Sequence, residues 1–181
     1  MKSKILLLIL TLVFISCNKD DYVLTGINND GTGGISCRIN GTILRPSGGG
    51  MYGNKTAKFD YYDGHKVLIV GFTSRDGGNN KFSSVTLFAY DVDIDNLEGQ
   101  TINLVAKSYN ESYATYTSGK ATSGSQPGED YATSSAQVGE VKVLFLDKDE
   151  RIITGEFWFN AENEFGEIVK VNDGRFDLNY N

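Results

Sequence analysis

The chain has 181 residues, and its 23 acidic against 17 basic side chains give a formal charge of −6. Nucleic acid is excluded as a partner, because phosphate backbones are gripped by clustered Lys and Arg, and so acidic a chain also argues against electrostatic adhesion to anionic lipid. One histidine and two cysteines are too few for a closed zinc site or a disulfide framework.

Taken from its start, the chain opens with Met1-Lys2-Ser3-Lys4, a short positive segment, followed by Ile5 to Ile15, apolar apart from Thr11. This run is about half of the roughly 20 residues a membrane-spanning helix needs. A basic flank with a short apolar core reads as a secretory signal peptide. Cleavage after Ser16 would place Phe14 where a small residue is normally required. Instead, Phe14-Ile15-Ser16-Cys17 resembles the lipobox of bacterial lipoproteins, although that motif usually has Leu where Phe14 stands and a small residue where Ile15 stands. The resemblance implies that Cys17 receives a diacylglyceryl thioether and becomes the new N-terminus. A thiolate is the side-chain nucleophile best suited to that step, and two or more acyl chains give stable anchoring where one does not. Asn18-Lys19-Asp20-Asp21 further resembles the export tag of Bacteroidota-type surface lipoproteins. The expected organisation is therefore a leader over 1–16, a lipidated tether over 17–34 and a domain over 35–181. Without Lys2 and Lys4 the mature chain carries 15 basic and 23 acidic residues, a formal charge of −8.

"TGINNDGTGG", Thr25 to Gly34, has no apolar face to pack and reads as a flexible spacer. From Ile35 the hydrophobic period is two, as in a strand with one buried face. Ile35, Cys37 and Ile39 alternate with polar neighbours, Asn40-Gly41 is a strong hairpin signal, and Thr42 to Arg45 returns. Lys66 to Ser74 is apolar on both faces and predicts a central strand. Lys81 to Val92, Thr101 to Ala106, Glu140 to Asp147 and Arg151 to Ala161 follow as strands. The last pair, Glu167 to Val171 and Gly174 to Tyr180, is expected to form a hairpin across Asn172-Asp173. No stretch keeps a helical period. The pattern predicts an all-β fold, an antiparallel β-sandwich of roughly ten strands, with an up-and-down, lipocalin-like barrel as the alternative.

"SCRINGT" (Ser36 to Thr42), "IITGEFWFNA" (Ile152 to Ala161) and "VNDGRFDLNY" (Val171 to Tyr180) resemble a family of small Bacteroidota-type lipoproteins with a domain of unknown function. The resemblance implies a β-rich surface lipoprotein and carries no activity with it.

Candidate sites follow from the same pattern. If Ile153, Phe157 and Phe159 fill the core, Trp158 faces outward beside Glu156 and Asn160, which is the arrangement of a sugar-stacking platform. Lys107 to Gln137 is rich in Ser, Thr and Tyr. Its Tyr109, Tyr113 and Tyr116 are expected to be partly exposed contact residues. Asp91, Asp93 and Asp95 would share one face of an extended strand and could there ligate calcium, although Asn96 and Ile102 break the EF-hand loop pattern. Cys37 and His65 offer a remote nucleophile–base pair, and Glu156, Glu162, Glu164 and Glu167 offer remote carboxylate pairs for sugar hydrolysis. A Cys17–Cys37 disulfide is the alternative to lipidation.

The expected protein is thus a non-catalytic lipoprotein needing no cofactor, held on the outer membrane by lipid on Cys17. It faces the cell exterior, or in the alternative the periplasm, and its partner is a glycan or protein ligand. A structural component of a surface complex is the second reading, and a hydrolase with paired carboxylates the third.

Overall fold

Strand after strand forms because apolar side chains recur at every second position, which a pleated strand places on one face. A computed structural model describes residues 23–48, 53–120 and 128–181. The leader, Cys17 and the Asn18–Asp21 tag lie outside the described residues. Among those described there are eleven strands and no helix: β1 (Gly34–Ile39), β2 (Thr42–Leu44), β3 (Lys55–Tyr62), β4 (His65–Asp76), β5 (Lys81–Tyr90), β6 (Thr101–Leu104), β7 (Tyr113–Lys120), β8 (Glu129–Ala132), β9 (Gly139–Asp147), β10 (Ile152–Glu162) and β11 (Ile168–Asn179).

The strands pair antiparallel in the order β2-β1-β11-β10-β8-β7-β5-β4-β3, with β9 also on β10 and β6 on β9. The fold is all-β and sandwich-like, as the period-two pattern predicts. Spatial neighbours such as β8 and β10, or β6 and β9, are not neighbours in sequence, as they would have to be in an up-and-down barrel. At the far side, Asn181 exchanges two backbone hydrogen bonds with Ala57 and Phe59 of β3, at 3.1 and 3.3 Å. The C-terminus is thereby pinned to the last strand in the order.

One core runs through the sheet. It takes Leu68, Val70 and Phe72 from β4, Val85 and Leu87 from β5, Val141 and Val143 from β9, and Phe157 and Phe159 from β10. At its centre β10 and β11 interlock. Gly155 pairs with Phe176 and Phe157 with Gly174, so each ring lies across a glycine on the opposite strand. A Cβ on Gly155 would come within 2.4 Å of the Phe176 ring, and one on Gly174 within 2.5 Å of the Phe157 ring. Cross-strand packing of this kind fixes register, since a slip of one residue would turn both rings to solvent.

The structure corrects three expectations. Val171 to Tyr180 is not the second half of a hairpin, because β11 runs unbroken from Ile168 to Asn179. Asn172-Asp173-Gly174 forms a β-bulge instead: a three-residue step on β11, from Gly174 to Val171, faces the two-residue step from Phe157 to Phe159 on β10. Asp173 adopts φ 52° there. Asn and Asp signal this left-handed backbone in bulges and turns alike, so the local signal was real and its class ambiguous. Second, the stretch passed over between Arg45 and Lys66 supplies a strand: β3 joins the sheet through Asp63-Gly64, although Lys55, Lys58 and Asp60 dilute its apolar pattern. Phe59 packs its ring edge against Tyr180 at 5.0 Å.

The third correction concerns Thr25 to Gly34, read from composition as a spacer. The segment is strapped to the outer face of β11. The Asp177 carboxylate, fully buried, accepts from the backbone N–H of Asn28 (3.0 Å) and Gly31 (2.8 Å) and from the Thr154 hydroxyl (3.2 Å). Thr25 N–H also donates to Ser36 Oγ at 2.7 Å. A buried carboxylate must be hydrogen-bonded to remain in place, and a polar Gly-rich segment supplies backbone donors without steric cost.

Asp177→Ala is expected to lower stability by about 1.5–3 kcal/mol, the range for hydrogen bonds to a charged group, in denaturant unfolding. Hydrogen exchange should meanwhile accelerate at Asn28 and Gly31. Phe159→Ala should cost about 3–5 kcal/mol, the range for a buried aromatic, without altering exchange in the strap first.

Candidate functional site

Along β10 the alternation puts Phe157 (3% exposed) and Phe159 (0%) into the core and turns Trp158 (38%) outward. The inside–outside assignment made from the sequence is the one observed. Above the strap's contact with Thr154 and Asp177, the outer face opens into a hollow of about 620 Å³. Its floor is two cross-strand rows. In the first, Lys142 of β9, Glu156 of β10 and Arg175 of β11 stand side by side. In the second, Glu140 of β9 neighbours Trp158, and the bulged Asn172 and Asp173 close the far side.

The bulge shapes this site. Its extra residue carries Asp173 toward Arg38 of β1, whose Nε lies 3.1 Å from Asp173 Oδ2, and bulges commonly re-aim side chains in this way. Trp158 Nε1 donates to Glu140 Oε2 at 3.3 Å, which orients the indole. Arg175 Nε lies 4.0 Å from Glu156 Oε1, a loose pairing between half-exposed groups. Lys142 has no ion pair among the described residues. An apolar ring with carboxylates, an amide and cations at its rim can stack against a sugar face while hydrogen-bonding its hydroxyls. Glu156 belongs to the hollow as expected. Asn160, one step further along β10, does not line it; its backbone N–H bonds to Val138 O at 3.0 Å. Glu140, Lys142, Asp173 and Arg175 come from neighbouring strands, and the Asn-Asp-Gly bulge signal is the only trace of them in the sequence.

The tyrosines do not join this hollow. Tyr109 is 72% exposed and meets His65 edge-on at 6.2 Å. Tyr113 stacks on Phe88 at 4.6 Å, with Lys107 Nζ 5.6 Å from its ring centre. Tyr116, expected to be partly exposed, is buried against Tyr131 at 5.7 Å. Its strand β7 lies between β5 and β8, so Ala114 and Tyr116 face the core.

Asp91, Asp93 and Asp95 do not share a strand face. β5 ends at Tyr90, Asp91 turns the chain at φ 55°, and the carboxylates go to separate partners. Asp91 Oδ1 lies 2.6 Å from His65 Nδ1, Asp93 accepts from Asn96 Nδ2 at 2.6 Å, and Asp95 pairs with Lys148 Nζ at 2.8 Å. The Asn96 bond, with help from the Asp95 N–H, holds the Asp93 carboxyl below the ordinary range. Among the described residues no group of three acidic, histidine or cysteine side chains could hold a metal ion. Of the glutamates considered for hydrolysis, Glu167 meets a second carboxylate, Glu129, across the Tyr131 hydroxyl at 3.4 and 3.0 Å. Cys37 is a free thiol inside the core, and burial pushes its pKa up to about 12.

The chain matches no protein-family model, no curated protein and no solved structure. Its class is set by its own architecture: an all-β, antiparallel, sandwich-like domain with an aromatic hollow on its outer face. None of its described segments is a helix long and apolar enough to cross a membrane.

Trp158→Ala is expected to cost no more than about 1 kcal/mol, as for surface positions away from the core, and acrylamide should quench native tryptophan emission efficiently. Emission resistant to quencher would mean that the outer face is covered. High pH tests the core thiol. The unfolded thiol loses its proton near about pH 8.5 but the folded one only near 12. The native state therefore binds more protons in between, and stability falls as pH rises across that interval. Cys37→Ala should flatten this part of the stability profile.

Proposed function

We propose that the protein is a non-catalytic lipoprotein, anchored in the outer membrane through Cys17 and facing the cell exterior, that binds a glycan in the Trp158 hollow. The observation carrying the reading is the half-exposed indole set among hydrogen-bonding groups of both signs. Apart from Phe157, Trp158 and Gly174, every residue lining the hollow carries a charged or amide side chain, which suits a hydroxyl-rich ligand better than a purely apolar one. The lipobox-like Phe14 to Cys17 supports the anchor, and the short apolar run before it supports export.

A second reading, an assembly component of a surface complex, draws on the β10–β11 connection. There Phe165 is 78% exposed, and Ile168, where β11 begins, is also exposed. Exposed apolar groups at a loop tip are natural contact points for a protein partner.

Two experiments test these readings. Cys17→Ser should abolish palmitate incorporation and release the protein from membranes; labelling that survives the substitution would refute the anchor. Glycan-array binding by the full chain should fall at least about tenfold in Trp158→Ala, which corresponds to about 1.4 kcal/mol, with the bound oligosaccharide recovered uncleaved. Binding unchanged in Trp158→Ala but lost in Phe165→Asp would favour the assembly reading.

A further inference from the structure

The hollow around Trp158 is the middle of a longer surface. Its cross-strand rows continue on both sides, because β9 is flanked by β6 and β11 by β1. On one side Asn103 of β6 pairs with Glu140, and Thr101 with Lys142; Thr101 and Asn103 are both exposed. On the other side Arg38 of β1 pairs with Asn172 of the bulge, and its side chain is 39% exposed. The row through Trp158 thus reads Asn103, Glu140, Trp158, Asn172, Arg38 across β6-β9-β10-β11-β1, and no position in it is buried. With strands about 4.8 Å apart it is on the order of 19 Å long. Trp158 stands on the middle strand.

The neighbouring row is shorter. Past Arg175 it meets Ser36, which is fully buried and accepts the Thr25 N–H at 2.7 Å, so the strap closes it there. The Trp158 row has no such stop. Among the described residues β6 pairs with no strand but β9, so the row ends at a sheet edge beyond Asn103. Charge is balanced along this surface: Glu140, Glu156 and Asp173 stand against Lys142, Arg175 and Arg38. Glu156 lies between Lys142 and Arg175, and Asp173 lies on Arg38. Donors and acceptors are therefore plentiful, with no net field to select a charged ligand.

We infer that the ligand of this site is an uncharged, linear polysaccharide of extended linkage, bound across the strands along an internal stretch of about five sugars, one per strand. The inference rests on the glycan reading of the Trp158 hollow and deepens it. In a β-1,4-linked ribbon each ring advances by nearly one strand spacing, so successive sugars fall over successive strands. The central ring stacks its apolar face on the indole. Hydroxyls of the rings on one side bond to Glu140 and Asn103, and those on the other side to Asn172 and Arg38. A site for a terminal sugar needs a closed end, and this row continues on both sides of Trp158.

Isothermal titration of the full chain with size ladders of β-1,4-linked gluco-, xylo- and manno-oligosaccharides tests this. For at least one ladder, affinity should rise about tenfold or more from disaccharide to pentasaccharide and then level off. A β-1,4-mannuronate ladder, which carries a carboxylate on every sugar, should bind more weakly than the best uncharged one. Asn103→Ala and Arg38→Ala, at the two ends of the row, should each weaken the pentasaccharide about three- to tenfold, as for one lost hydrogen bond. Neither should change disaccharide binding, whereas Trp158→Ala should weaken both lengths. A disaccharide bound as tightly as the pentasaccharide, tighter binding of mannuronate, or end variants that leave the length dependence intact would overturn the inference and leave the glycan reading standing. Binding of branched or terminal sugars on the glycan array, with none to any ladder, would do the same. If neither the array nor the ladders bind, the glycan reading falls and this inference with it.

Discussion

The reciprocal packing of Phe176 over Gly155 and Phe157 over Gly174 is the constraint from which the rest of the structure follows. Each ring needs the space that a missing Cβ leaves on the facing strand, so β10 and β11 fit in one register. That register puts Phe157 and Phe159 into the core and leaves Trp158 no place but the outer face. It also sets Glu156 opposite both Lys142 and Arg175, and Thr154 opposite Asp177. The core and the candidate site are two faces of the same strand pairing.

The outer face of β10 and β11 is divided in two. At one end Asp177 gathers backbone donors from Asn28 and Gly31 and closes the face with the strap. At the other, the extra residue of the bulge lifts Asn172 and Asp173 beside Trp158 and leaves the face open. A hydrogen-bonded carboxylate covers the sheet where stability is needed, and a local break in pairing exposes it where contact with a ligand is proposed.

Much of the fold could be read locally. Asn40-Gly41 marked the β1–β2 hairpin, Lys66 to Ser74 announced an interior strand, and the alternation around Trp158 gave its direction correctly. The failures share one cause. The Asn172-Asp173 signal specified a left-handed backbone but not whether a turn or a bulge would use it. Tyr116 looked like surface composition until β5 and β8 flanked its strand. Asp91, Asp93 and Asp95 shared a face only on the assumption that the strand continued past Tyr90.

By itself, then, the sequence determined the strand class and the inward and outward sides of individual strands, because each depends on residues within a few positions of one another. Only the tertiary structure decided that a Gly-rich segment is a strap, because its acceptor, Asp177, lies 149 residues from Asn28 and 146 from Gly31. The same holds for the hollow, whose charged rim is delivered by β9 and β11 to a tryptophan on β10. Backbone hydrogen bonding between strands does not read side-chain identity. Which distant residues become neighbours is settled by packing across the whole sheet.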